Sequence, residues 1–344
     1  MAALIAALLE PVIGEKSTQF VLETLELDPA LARNSEGKPS RAQLAWALNA
    51  ALFMDLLERV PSAARYVDGV RQKGERIVSD HGALRTIDGP SGALPSGCEG
   101  MARLLAPLGY QVSGLYPLPA LKMTGRAYAQ VDFPEAIPQF FVSELHIDQL
   151  APEAQGAAEA IFGTSRDPID AAAWAALDRL AADGACSLED GVTILRAVLS
   201  AFDRQHPAPA LADYETLLAH SREGGWIATE GNAFNHATTR VPHVEALAES
   251  LREQGFAMKP SVEVSASGRV RQTAFLADRV TRPFRDATGA EIAREVPGSF
   301  YEFISRDPDP ETGGLDLRFD SGNATGIFAM TRDNMGSAHQ EKSA

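Results

Sequence analysis

One order of elements occurs twice along this chain, and it restricts the fold more than any single motif. Residues 79–87 (SDHGALRTI) predict a strand, and residues 96–110 (SGCEGMARLLAPLGY) a helix ending near Gly109. QVSGLYPL, KMTGRAYAQVDF and PQFFVSELHID follow as three further strands, rich in β-formers and punctuated by Gly and Pro. After an Ala-rich, largely helical stretch (150–222) the same β-α-β-β-β order returns. GNAFNHATTRV (231–241) predicts a strand and HVEALAESLREQGF (243–256) a helix closed by Gly255; MKPSVEVSAS, VRQTAFLADRV and SFYEFISRD supply three more strands. Both modules open on the same pattern, His81-x-x-x-Arg85 and His236-x-x-x-Arg240. Two matching residues recur by chance in many chains. The matched order of elements gives the pattern its weight, because internal self-similarity signals architecture even at low identity.

Residues 1–75 predict a helical region. Ala42, Leu44, Ala45, Leu48, Leu52, Leu56 and Leu57 form an apolar stripe at three- and four-residue steps, with Ser40 as its N-cap. The organisation expected is an N-terminal helical region (1–75), a first module (76–150), a helical insertion (151–225), a second module (226–330) and a polar tail (331–344). The fold class expected is α+β. Two βαβββ modules curl a mixed sheet around one cleft, with the helical layer and the insertion packed outside it.

Composition narrows the partners. With 31 Lys and Arg against 46 Asp and Glu, the formal charge of −15 argues against a nucleic-acid binder, which needs a basic footprint. No apolar run approaches the roughly 20 residues that span a bilayer. The opening MAALIAALLEPVIGEKS lacks a basic start and is broken by Glu10, so it predicts an amphipathic helix, not a signal peptide. Two cysteines, Cys98 and Cys186, are too few for a disulfide framework or a cysteine zinc site. Cys98 lies near a helix start, where a thiol can be acidified. The expectation is a cytoplasmic protein whose oligomeric state composition leaves open.

Of seven histidines, His81 and His236 stand out because they occupy matching positions on the first strand of each module. Side chains at even separations share a strand face, so His81 points with Ala83 and Arg85, and His236 with Thr238 and Arg240. If the two first strands run side by side, both imidazoles face one cleft and need a carboxylate to complete a metal site. The last strand of each module offers one, Glu144 and Glu302. His81, His236 and Glu302 would leave open positions, as ferrous oxygenases require. Adding Glu144 as a fourth ligand would suit a Lewis-acid metal such as Zn2+ or Ni2+, polarising a carbonyl in an isomerase or lyase without redox chemistry. A metal-free binding protein of the same fold is the third possibility, and Glu144 equally suits an ion pair. Arg85 lies roughly 13 Å of strand from His81, so it could meet the far carboxylate of a short chelated substrate or form a salt bridge. GNATGIF (322–328) could offer backbone N–H groups to an anion.

DHGALR (80–85), GNAFNHATTRV (231–241), FYEFISRD (300–307) and GIF (326–328) resemble the 2-oxoadipate dioxygenase/decarboxylase family. The family carries a core like the vicinal-oxygen-chelate, or glyoxalase-like, fold. The resemblance extends from about residue 40 to 330. It implies a non-haem Fe(2+) enzyme with His81, His236 and Glu302 on the metal, and Arg85 as the catalytic-site residue binding the remote carboxylate. The family's main-chain anion contact would fall on Gly322 and Asn323. The implied reaction turns 2-oxoadipate and O2 into 2-hydroxyglutarate and CO2, in lysine degradation, with the substrate's own 2-oxo acid chelating the iron. The chain departs from the longer members in size and in reading Gly-Asn-Ala-Thr, where they have Val-Ser-Ala-Ala.

Overall fold

Four helices lead into the first strand: α1 (Ala3–Ile13), α2 (Glu15–Thr24), α3 (Arg41–Arg59) and α4 (Pro61–Gln72). The structure, a computed structural model, describes residues 2–33 and 37–319. A capping box opens α3, in which Ser40 accepts the Gln43 N–H while the Gln43 side chain accepts the Ser40 N–H at 3.0 Å. Its Leu, Ala, Trp and Phe side chains are buried on nearly every side, so α3 is the axis of the helical layer.

The first module is β1 (Ser79–Asp88), α5 (Glu99–Leu105), β2 (Tyr110–Leu118), β3 (Met123–Gln130) and β4 (Gln139–His146). Gly109, at φ +82°, supplies the left-handed turn that ends the α5 segment and starts β2. Five helices follow: α6 (Pro152–Phe162), α7 (Ala171–Asp183), α8 (Leu188–Ala201), α9 (Leu211–His220) and α10 (Arg222–Glu230). The second module contains β5 (His236–Arg240), α11 (Val244–Glu253), β6 (Glu263–Val264), β7 (Val270–Ala274), β8 (Arg279–Arg285), β9 (Glu291–Pro297) and β10 (Phe300–Arg306).

Among the described residues, eight strands form one curled mixed sheet in the order β2-β3-β4-β1-β5-β10-β7-β6. The two first strands meet at its centre. β1 and β5 pair antiparallel, with His81 opposite Thr238 and Ala83 opposite His236, and a bulge between Ser79 and His81. Flanking this seam, β4 runs parallel to β1 and β10 parallel to β5, so the modules are related about it. On the helical side Phe234 fills the space above Gly82, where a Cβ would come within 1.9 Å of its ring. The opposite face carries His81, His236 and Glu302.

Three elements differ from the sequence expectation. The strand expected over 231–241 begins only at His236, because Gly231 (φ +64°) turns the chain hard against Arg204. α10 runs across the 225/226 division expected between insertion and second module. The VRQTAFLADRV strand breaks after Ala274, and its end becomes β8, which leaves the sheet to pair with β9 as a separate hairpin. That hairpin turns at Asp286–Gly289, where Asp286 accepts the Thr288 and Ala290 N–H groups, and Phe284 anchors it on Tyr214 at 4.7 Å between ring centroids. Among the described residues no helix is long and apolar enough to cross a membrane.

His206, in the proline-containing segment QHPAPA, is buried against Phe162 and bonded to the Ala228 carbonyl at 3.0 Å. Burial pushes its pKa down to about 4 from 6.5. The unfolded imidazole therefore takes a proton first, and this group withdraws stability as pH falls from 6.5 towards 4, by at most about 3 kcal/mol. Urea titrations across that range should show a shallower acid loss for His206→Gln than for the parent. At the seam, Gly82→Ala should cost about 1–3 kcal/mol by overpacking Phe234. The same titrations measure this, and an unchanged midpoint would show that the ring is not held there.

Candidate metal centre

His81 enters from β1, His236 from β5 and Glu302 from β10, three adjacent strands of the sheet. One ligand atom from each lies within 4.8 Å of the other two, and all three residues are buried. Glu302 Oε2 is 3.4 Å from His81 Nε2 and 3.1 Å from His236 Nε2. The rings stand nearly perpendicular, with centroids 5.6 Å apart. Burial would raise the Glu302 pKa, but the imidazoles outweigh it and hold the carboxyl at about 2. Burial depresses His236, and Glu302 offsets only part of this while His81 and Arg85 add to it. For His81 burial also acts downward, yet its bonds to Asp80 and Glu302 prevail and the pKa is raised.

Among the described residues, Glu302 Oε1 and His236 Nε2 are buried without a hydrogen-bond partner. Leaving a buried carboxylate oxygen unsatisfied is costly, and a divalent cation would satisfy it. Two imidazole nitrogens and a carboxylate form a donor set that fits a first-row metal. The residues present therefore fit such an ion.

The surrounding side chains fix these three. Asp80 Oδ1 accepts the His81 Nδ1–H at 2.8 Å, which turns Nε2 towards the cluster. Asp80 is itself held by Arg306 at 2.9 Å and Arg240 at 2.8 Å. Thr238 donates to Glu302 Oε2 at 3.0 Å. Phe300 stacks on His236 at 4.7 Å, and Phe319 sits edge-on to His81 at 4.8 Å. Phe319 also touches Phe141 and Tyr116, giving the cleft an apolar wall.

Glu144 is not with this cluster, which corrects the four-ligand arrangement. It pairs with Arg126 and accepts the Cys98 N–H at 2.9 Å. The parallel registers give the reason. Ala83 lies opposite Phe141 in the first module and Thr238 opposite Glu302 in the second, each two residues beyond the module's histidine. The counterpart of Glu302 is thus Phe141, while Glu144, three residues on, projects from the other face. Cys98 is also corrected: burial and then Glu144 push its thiol up, so the helix start does not acidify it.

Arg85 is buried on the ligand face. Its guanidinium pairs with Glu223 at 2.6 Å and lies over the Trp226 ring at 4.6 Å. Its counterpart Arg240 instead braces Asp80. Gly322 and Asn323, with the GIF segment, lie outside the described residues. Sequence reasoning gave no role to Asp80, Thr238, Phe141, Glu223 or Trp226, although it set Thr238 on the face of His236. Thr238 and Phe141 follow from strand parity once a register is assumed; Glu223 and Trp226 reach the site from a distant helix and carry no local signal.

Known proteins agree with this architecture. The pattern of a family described as 2-oxoadipate dioxygenase/decarboxylase matches residues 50–313. A protein of Ralstonia eutropha JMP134 described as belonging to the glyoxalase superfamily is 47% identical, with a TM-score of 0.90 over 94% of this chain and 100% of that one. The hydroxyglutarate synthase of Oryza sativa, solved in complex with 2-oxoadipate, is 21% identical and shares the fold, with a TM-score of 0.66 over 85% of this chain and 93% of its own. A chloroplastic/amyloplastic 2-oxoadipate dioxygenase/decarboxylase of Oryza sativa subsp. japonica is 24% identical over 309 residues, 81% of this chain and 76% of that protein. With that pattern running through both modules and the helices between them, the chain belongs to the 2-oxoadipate dioxygenase/decarboxylase family.

Proposed function

We propose that this protein is an Fe(II)-dependent dioxygenase/decarboxylase that converts 2-oxoadipate, or a related dicarboxylic 2-oxo acid, and O2 into 2-hydroxyglutarate and CO2, a step in lysine degradation. The observation that carries this reading is the meeting of His81, His236 and Glu302, with Phe141 where a symmetric fourth ligand would stand. Relatives named for this reaction, and a structural neighbour that holds 2-oxoadipate, support the choice of substrate.

Ferrous iron on this donor set would supply open positions for a chelating 2-oxo acid and O2, and a redox centre through which the substrate's own electrons reduce the oxygen. The protein's own contribution is a rigid, dry and charged frame. Glu302 stays ionised, and Asp80 holds His81 with Nε2 inward. Phe141, Tyr116 and Phe319 exclude water beside His81 and suit the methylene chain of the substrate. Arg85 takes the distal carboxylate, its side chain lying further along the β1 face that carries His81.

Ferrous-loaded protein should consume O2 and 2-oxoadipate in equal amounts and release 2-hydroxyglutarate and CO2, as read by an oxygen electrode and mass spectrometry. No consumption would overturn the reading. Alanine at His81, His236 or Glu302 should lower turnover by more than about 100-fold, beyond the usual cost of disturbing an outer-shell partner. Glu144→Gln should leave the bound metal unchanged, measured by elemental analysis. Loss of metal from that variant, with O2-independent turnover on Zn2+ or Ni2+, would favour the glyoxalase-like alternative.

A further inference from the structure

Helix α10 is short and entirely buried after its first residue, although it carries two glutamates. It sits deep because Gly224 and Gly225 let it press on α9, where added Cβ atoms would meet Leu217 at 3.0 Å and Leu218 at 2.6 Å. Ser221 caps its N-terminus by accepting the Gly224 N–H at 3.0 Å. Each glutamate meets an arginine. Glu230 forms a two-pronged pair with Arg282 at 2.7 and 2.6 Å on the hairpin side. Glu223 reaches Arg85 at 2.6 Å on the metal-facing side of the sheet.

The first pair braces a hairpin; the second lies in the proposed substrate path. Trp226, one turn after Glu223, backs the Arg85 guanidinium with its ring and is pinned by its Nε1–H bond to the Gly298 carbonyl at 3.0 Å. Arg85 therefore presents a guanidinium that is fixed in place and already ion-paired with a carboxylate. Both partners are nearly inaccessible to solvent, with side-chain exposures of 1% and 5%. In such a place a charge is tolerated only with its counter-charge. A second carboxylate, from a substrate, would meet the negative charge of Glu223 beside the same guanidinium.

Resting on the reading of the site as one for 2-oxo acids, we infer that Glu223 is a specificity-determining residue. It competes with the substrate's far carboxylate for Arg85, so that the distal end of the pocket accepts a neutral hydrogen-bonding group about as well as a carboxylate. The substrate class follows: 2-oxo acids whose far end is polar, without a requirement that it be ionised. Discrimination of this kind comes from a repulsive element as much as from an attractive one.

Affinities measured by calorimetry for 2-oxoadipate and for its neutral isostere, the distal carboxamide, test this on the metal-loaded protein. The parent should separate the two ligands by less than about threefold. Glu223→Gln keeps the shape and removes the competing charge; it should favour 2-oxoadipate over the amide by at least about tenfold, or ~1.4 kcal/mol, with affinity for the amide little changed. Glu223→Asp keeps the charge and should retain the parent ratio, which a purely structural role for Glu223 would not require. If the Gln variant does not fold, Glu223→Ala replaces it with the same expectation. In Arg85→Gln/Glu223→Gln the gain should vanish. Binding of both ligands with an unaltered ratio in the neutral variants would overturn the role of Glu223 alone. Failure of both ligands to bind any of the proteins would overturn the 2-oxo acid reading, and this inference with it.

Discussion

The antiparallel seam between β1 and β5 is the contact on which the rest of the molecule depends. It joins the two modules, and its register alone decides that His81 and His236 stand beside each other. A slip of one residue would turn every side chain of one strand to the other face and separate the imidazoles. The seam can be this close because Gly82 leaves room for the Phe234 ring on the helical side. Its bulge has an equally local effect. Neighbouring residues on a regular strand face opposite ways, yet Asp80 bonds the ring of His81, because the irregularity between Ser79 and His81 re-aims the chain there.

The interior handles charge by pairing it. Asp80 is surrounded by Arg306, Arg240 and His81, and Arg306 also donates to the Asp316 and Arg318 carbonyls at 2.7 and 3.0 Å. Arg85 has Glu223, and Arg282 has Glu230. Each pair ties together segments far apart in sequence, so these ions set which segments meet more than they add stability. The formal charge of −15 therefore says little about the interior, where Asp80 answers both Arg306 and Arg240, and Glu223 answers Arg85.

Much of this was legible in the sequence for a definite reason. His81, His236 and Glu302 lie on strands whose alternation and order are local properties, and those survive folding. Glu144 shows where that logic stops. FFVSELH offers a glutamate near the expected place, but parity against β1 decides its face, and a register between strands cannot be read from either strand alone. Asp80 was hidden by a bulge, which breaks the alternation used to assign faces. Glu223 and Trp226 were hidden because α10 is buried from every side and its sequence REGGWIATE shows no apolar stripe. The β8–β9 hairpin was the most recoverable omission, since Asp-Ala-Thr-Gly between alternating segments is a turn signal.

The Phe141–Glu302 mismatch has a consequence for how such a molecule can be divided. Two halves of like topology meet about the seam, yet only one brings an acid to it; the other brings a ring. A homodimer made from copies of the first half would set two histidines against two phenylalanines. One made from copies of the second would crowd two glutamates between two histidines. Only the unlike pairing yields two imidazoles, one carboxylate and an apolar side, so the covalent link between the halves does more than raise their local concentration. It guarantees a heterodimer inside a single polypeptide.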